Sequence, residues 1–154
     1  MKVVVITGAS SGIGRATAKY FAARGWKVYN LSRRLSGEAG IINIAADVTV
    51  EEEVKKAFAQ IRSESGHLDL LVNNAGFGIS GAVEFTELNE ARSQFDVNFF
   101  GTFNCIKAAL PMLKERQGRI ICISSAAAIF AIPFQSFYSA TKAAINILVC
   151  ALAN

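Results

Sequence analysis

The stretch Val3-Val4-Val5-Ile6-Thr7-Gly8-Ala9-Ser10-Ser11-Gly12-Ile13-Gly14 decides the fold. Its opening run of β-branched side chains is the pattern of a strand covered on both faces. The glycines then break the strand, and apolar spacing of helical period takes over across residues 13–24. In a strand–turn–helix context the first glycine permits a tight turn. The later ones let backbone approach a pyrophosphate and let the helix pack closely, with its first amides facing the anion. Gly8, Ser10, Ser11, Gly12, Ile13 and Gly14 are therefore candidate phosphate-site residues. The spacing is three residues and then one, so it is not the G-x-G-x-x-G fingerprint, and a purely structural turn would use glycine too.

Moving outward, strands and helices keep alternating. Residues 27–31, 41–45, 68–72 and 119–124 read as further strands. Helical spacing covers residues 51–64, with Glu51, Glu52 and Glu53 as an acidic first turn. It covers residues 88–113, with a bend expected at Pro111, and returns from about Phe137 to the end. Residues 77–83 read as a loop. This alternation implies βαβ units, parallel pairing and right-handed crossovers, hence an α/β doubly wound sheet.

Composition fits that class. The chain of 154 residues is one domain by size, residues 1–154, and 52% apolar content with positive mean hydropathy suits a sheet buried on both faces. No apolar run approaches the roughly 20 residues needed to span a bilayer, so neither a membrane anchor nor a signal peptide is expected. Sixteen basic and twelve acidic residues leave a net charge of +4. The basic residues are scattered rather than striped, which argues against nucleic acid as a partner. Cys105, Cys122 and Cys150 lie in apolar segments and are expected to be buried thiols in a reducing compartment, the cytoplasm, with no metal site. His67 is expected on the surface, and the phenylalanines 95, 99, 100 and 103 in core or helix-pairing positions.

Five features occur in one order: Thr7-Gly8-x-x-x-Gly12-x-Gly14; Asp47-Val48; Asn73-Asn74-Ala75-Gly76; Asn98; and Ser125 with Tyr138-x-x-x-Lys142. Their order and spacing resemble those of the classical short-chain dehydrogenase/reductases, over essentially the whole chain. The resemblance implies a Rossmann-like sheet of strand order 3-2-1-4-5 and an oxidoreductase that moves a hydride between a nicotinamide cofactor and a small carbonyl or alcohol. It also implies a homodimer or homotetramer. Family members continue into a sixth and seventh strand and a substrate-covering segment, so the domain is expected to be C-terminally incomplete. A cofactor-binding or regulatory module without turnover is the alternative.

The roles implied can be checked against chemistry. Reducing a carbonyl requires a proton for its oxygen, and Tyr138 is the candidate acid/base. A fixed ammonium favours the phenolate, and Lys142 lies one helical turn on. The resemblance adds that Lys142 binds the nicotinamide ribose and that Asn98 holds a relay water. Ser125, thirteen residues before Tyr138 and expected at the end of the fifth strand, is implied as the substrate-oxygen anchor. Ser124 would point the other way if strand geometry persisted. Asp47 and Val48 are implied to flank the adenine, and Asn74, Ala75 and Gly76 to lie against the ribose. Ser32, followed by Arg33 and Arg34, ends the second strand where an acidic residue would read a free 2′-hydroxyl. A hydroxyl and a guanidinium instead suit a 2′-phosphate, so NADP is expected over NAD. Arg34 could equally solvate a loop, and Arg15 could face phosphate or solvent.

Overall fold

In the computed structural model, which describes residues 1–152, a single parallel sheet runs in the order β3-β2-β1-β4-β5. The strands are β1 (Val3–Thr7), β2 (Lys27–Ser32), β3 (Ile41–Ala45), β4 (Leu70–Asn73) and β5 (Arg119–Cys122). Every residue of β1 is buried, as its β-branched run requires of a central strand. The sheet has the strand order and class that the sequence implies.

Helices cover both faces. The helix α1 (Gly12–Ala22) closes one face over Val4, Ile6, Val28, Ile41 and Val72, with Phe21 and Trp26 packed at its end. On the other face, α2 (Glu51–Ser65) and α4 (Gly101–Arg116) cover Val3, Val5, Tyr29, Leu31 and Leu71. Glu51, Glu52 and Glu53 occupy the first turn of α2, where the helix dipole favours carboxylates, and Gly66 in left-handed conformation ends it. The remaining helices are α3 (Leu88–Phe95) and α5 (Ser136–Leu152); the expected run of α5 to the last residues lies outside the described residues. No helix of the described residues is long and apolar enough to cross a membrane.

Three local readings change. The helix expected over residues 88–113 is divided by a π-turn at Asp96–Phe100, while α4 runs on through Pro111 to Arg116. Thus the irregularity falls at Asn98, where backbone bonds of wider span re-aim a side chain. The fifth strand stops at Cys122, so strand alternation does not reach Ser124 and Ser125. Of the cysteines, Cys105 is buried, Cys122 partly buried and Cys150 exposed, the last because it falls on the outer face of α5. The β2–β3 connection, residues 33–40, is a loop without a helix, so the sheet face beside α1 is covered there by chain rather than by a packed cylinder.

Candidate active site

All five strands end on one edge of the sheet, and the segments leaving them wall a cleft of about 830 Å³. From β1 come Gly8, Ser10, Ser11, Gly12 and Ile13; from β2, Ser32 and Arg33; from β3, Asp47 and Val48; from β4, Asn74, Ala75 and Gly76; and from the far side, Tyr138 and Lys142. The carboxyl edge of a doubly wound sheet is where such folds bind ligands. Gly14 and Asn98 are buried behind this wall, while Ser125, partly exposed, follows Ser124 at its edge.

The glycine turn is shaped by contact as much as by conformation. Gly8 and Gly12 have φ of +69° and +55°, and a side chain at Gly12 would meet nothing within 4 Å, so that position opens onto the cleft. Gly14 is the reverse: a Cβ there would run into the Asn74 amide nitrogen and lie 2.5 Å from the Gly8 carbonyl oxygen. The Asn74 amide donates to the carbonyls of Thr7 (3.0 Å) and Gly8 (3.3 Å). The Thr7 hydroxyl accepts from the backbone N–H groups of Asn74 and Ala75 at 3.0 and 2.9 Å. Thr7 therefore staples the ends of β1 and β4 together beneath the cleft. Its signal in the sequence is only its place between a buried strand and a glycine.

At the end of the cleft beside β2 and β3, Asp47 Oδ1 accepts from the Thr49 amide and hydroxyl at 2.9 and 2.8 Å, which turns Oδ2 towards Arg33, 3.8 Å from the guanidinium. Arg33 is otherwise well exposed. Arg15 and Lys19 both pair with Glu38, which holds the Glu38 carboxyl below its usual range, chiefly through the hydrogen bond from Arg15. Arg15 is thus taken up by a surface pair and lies outside the cleft.

At the other end, Lys142 is 5% exposed, and its Nζ donates to the Ile123 carbonyl at 2.7 Å and stands 5.8 Å from the centre of the Tyr138 ring. Burial pulls the Lys142 pKa down, with the neighbouring Cys122 opposing it. Burial pushes the Cys122 thiol up, against a hydrogen bond from Asn73 and the charge of Lys142. Gly78 lies against the face of Tyr138, close enough that an added Cβ would sit 3.4 Å from its ring.

Asn98 is wholly buried, and its side chain is fully engaged. Its Oδ1 accepts from the Phe77 amide at 3.0 Å, and its Nδ2 donates to the Phe77 carbonyl at 2.9 Å and to the Thr141 hydroxyl at 3.1 Å. Thr141 donates in turn to the Tyr138 carbonyl at 2.8 Å, and buried Gln94 gives a second hydrogen bond to the Phe77 carbonyl at 3.2 Å. The π-turn thereby locks the loop after β4 to the first turns of α5. Thr141 and Gln94 carry no signal in the sequence, because they act through contacts that only the π-turn creates.

Ser125 accepts from the Ala127 amide at 3.1 Å and caps a short 3-10 turn, while Ser124, with a buried hydroxyl that has no protein partner, forms the wall at that point. Because Ser125 serves its neighbour as an acceptor, its own proton is left to donate elsewhere.

Comparison with known proteins gives the same grouping. The sequence model described as short chain dehydrogenase matches residues 2–154. A 3-ketodihydrosphingosine reductase of Bacteroides thetaiotaomicron is 46% identical over 147 residues, which cover 94% of this chain and 55% of that protein. Among solved structures, the ligand-free aldohexose dehydrogenase of Thermoplasma acidophilum is 39% identical with a TM-score of 0.93, covering 99% of this chain and 60% of that one. An alcohol dehydrogenase of Thermococcus sibiricus, complexed with 5-hydroxy-NADP, is 28% identical with a TM-score of 0.92, covering 99% and 70%. The chain thus spans little more than half the length of the curated relative it matches.

Proposed function

The chain belongs to the short chain dehydrogenase family, and on that premise we propose that it is an NADP(H)-dependent oxidoreductase acting on a carbonyl or alcohol, with Tyr138 as general acid/base. The observation that carries this is the buried Lys142 ammonium one helical turn from Tyr138, at one end of a cleft whose other end is the glycine turn. The residues fit a dinucleotide. Gly12 leaves open space above a helix N-terminus, and Lys142 has donors beyond the one given to Ile123. When bound, the cofactor supplies or accepts the hydride.

The chain's own residues handle the oxygen and its proton. Ser125, fixed by the Ala127 amide, donates to the substrate oxygen, and Tyr138 gives or takes the proton there. Lys142, held by the Ile123 carbonyl, stabilises negative charge on the phenol oxygen and would hold the ribose hydroxyls of the cofactor. Asn98, Thr141 and Phe77 keep α5 and the loop after β4 in register. Arg33 would hold the 2′-phosphate, with Asp47 steering the guanidinium, and Ser32, whose hydroxyl donates to the Arg34 carbonyl, would fix the loop beside it. Asp47 and Val48 would hold the adenine, and Asn74, Ala75 and Gly76 the ribose.

The substrate is read as a ketone with an apolar body. The segment between Ser125 and Tyr138 carries no charged residue and exposes Ile129, Phe130 and Phe134, and the Bacteroides relative reduces a 3-ketodihydrosphingosine by its name. Exposed Phe100, Phe103 and Ile147 on the π-turn, α4 and α5 support self-association as a dimer or tetramer, and the unbridged Cys105 and Cys122 suit the cytoplasm.

The test is NADPH-dependent turnover over a carbonyl panel that includes 3-ketodihydrosphingosine and an aldohexose. Tyr138→Phe is expected to lower turnover by at least about 100-fold while NADPH affinity stays within about threefold. Cofactor binding without any Tyr138-dependent turnover would instead favour a binding module.

A further inference from the structure

The loop at residues 33–40 replaces a crossover helix, so its backbone polar groups lack the intrahelical partners that a helix would give them. Two asparagines supply partners for Arg34 and Ser36. Asn30 and Asn43 are cross-strand neighbours on β2 and β3, on the sheet face beside α1. The Asn43 amide accepts from the Ser36 N–H at 2.7 Å and donates to the Ser36 carbonyl at 3.1 Å. Asn30 Nδ2 donates to Asn43 Oδ1 at 2.8 Å and to the Arg34 carbonyl at 3.3 Å, and the Ser32 hydroxyl donates to that same carbonyl.

The other end of the same side chain reaches the phosphate turn. Asn30 Oδ1 accepts from the Ala9 N–H at 2.9 Å, between Gly8 and Ser10. Asn30 is 0% exposed and takes no part in the cleft wall. A buried amide in the middle of an apolar strand is costly unless both of its ends are satisfied. Here one end is satisfied by the glycine turn and the other by the loop that carries Arg33 and Arg34. Any outward shift of that loop breaks Asn30 Nδ2 from Arg34 or pulls Oδ1 from Ala9.

We propose that Asn30, braced by Asn43, is a positioning residue that couples the glycine turn to the Arg33–Arg34 loop and so sets the preference for a 2′-phosphorylated dinucleotide without touching it. This rests on the NADP reading above. It predicts a selectivity effect in variants at residues outside the cleft wall, which a general packing role would not produce.

The experiment measures dissociation constants for NADPH and NADH by fluorescence titration of wild type, Asn30→Ala, Asn43→Ala, Arg33→Ala and the Asn30→Ala/Arg33→Ala pair. Amide hydrogen exchange at Ala9 and Ser36 is followed in the cofactor-free protein. Asn30→Ala is expected to lower the NADPH:NADH affinity ratio by about tenfold, the scale of one buried hydrogen bond. Asn43→Ala should move the ratio the same way by less. Exchange should quicken at Ser36 in both variants and at Ala9 in Asn30→Ala, and the pair should lower the ratio no further than Arg33→Ala alone. If Asn30→Ala fails to fold, Asn43→Ala decides, since it leaves the Ala9 bond intact. Equal weakening of NADPH and NADH, or an unmoved ratio while Arg33→Ala lowers it, overturns the coupling alone. An unmoved ratio in Arg33→Ala overturns the NADP reading and the coupling with it.

Discussion

Replacing Gly14 with alanine should cost stability, whereas replacing Gly12 should cost cofactor binding. The two glycines sit two residues apart in one turn and do opposite work. Gly14 has an ordinary helical backbone, so alanine there carries no dihedral penalty and gains up to about 1 kcal/mol of helix propensity. Against that, the new methyl collides with the Gly8 carbonyl oxygen at 2.5 Å, which is backbone, and with the Asn74 amide. The amide cannot swing aside without giving up both of its carbonyl partners, Thr7 and Gly8. Overpacking of about 1–3 kcal/mol plus one or two weakened hydrogen bonds of about 1 kcal/mol each leaves a net loss of about 2 kcal/mol. For a domain of this size that lowers Tm by about 4–8 °C. Alanine at Gly12 meets no atom but must adopt φ near +55°, costing about 1 kcal/mol and about 2–4 °C. Its methyl points into the cleft, so NADPH affinity should fall by more than the stability loss accounts for. Thermal unfolding by circular dichroism without cofactor, alongside NADPH titration, reads both quantities. A Gly14→Ala protein that melts with wild type would refute the contact argument.

Three further outcomes are expected. Asn98→Ala strands the Phe77 amide inside the protein, removes the donor to the Thr141 hydroxyl and should lower unfolding free energy by about 2 kcal/mol in urea titration; a loss under about 0.5 kcal/mol would remove Asn98 as the lock between α5 and the loop after β4. Burial lowers the Lys142 pKa from the ordinary 10.5, so between the lowered value and 10.5 the unfolded chain holds more protons than the folded one. Stability of wild type relative to Lys142→Met should therefore rise with pH across that window, and a flat difference would show that the ammonium is not desolvated. Burial, with Cys122 adding to it, pushes the Cys105 thiol up to about 12, so iodoacetamide at neutral pH should leave Cys105 intact in the folded protein while exposed Cys150 is labelled. Equal rates would contradict the packing of α4 against the sheet.

The sheet was legible because its evidence is local: a strand buried on both faces writes a β-branched run, as at Val3 to Ile6, and helices write their period. Most of the cleft wall was legible for a similar reason, since the segments that follow parallel strands must meet on one edge. The supporting layer was not. Asn98 carries no periodic signal that tells a π-turn from an exposed helical position, and Pro111, the more conspicuous residue, is accommodated within α4. Strand alternation cannot choose between Ser124 and Ser125, because β5 ends at Cys122. Thr7, Asn30 and Thr141 work through hydrogen bonds across 21 to 68 residues of sequence or through the π-turn, distances over which no pattern along the chain can speak.

The strand order has a consequence for how the molecule is made. β1 is synthesised first yet lies at the centre of the sheet, so construction proceeds outward from it, first on one flank through β2 and β3, then on the other through β4 and β5. Until β4 appears, β1 offers an open row of amides and carbonyls along its free edge. The Thr7 staple to Asn74 and Ala75 closes only then. A growing chain therefore passes through a three-stranded stage with its most apolar strand half covered, and that interval is an opening for aggregation or chaperone capture.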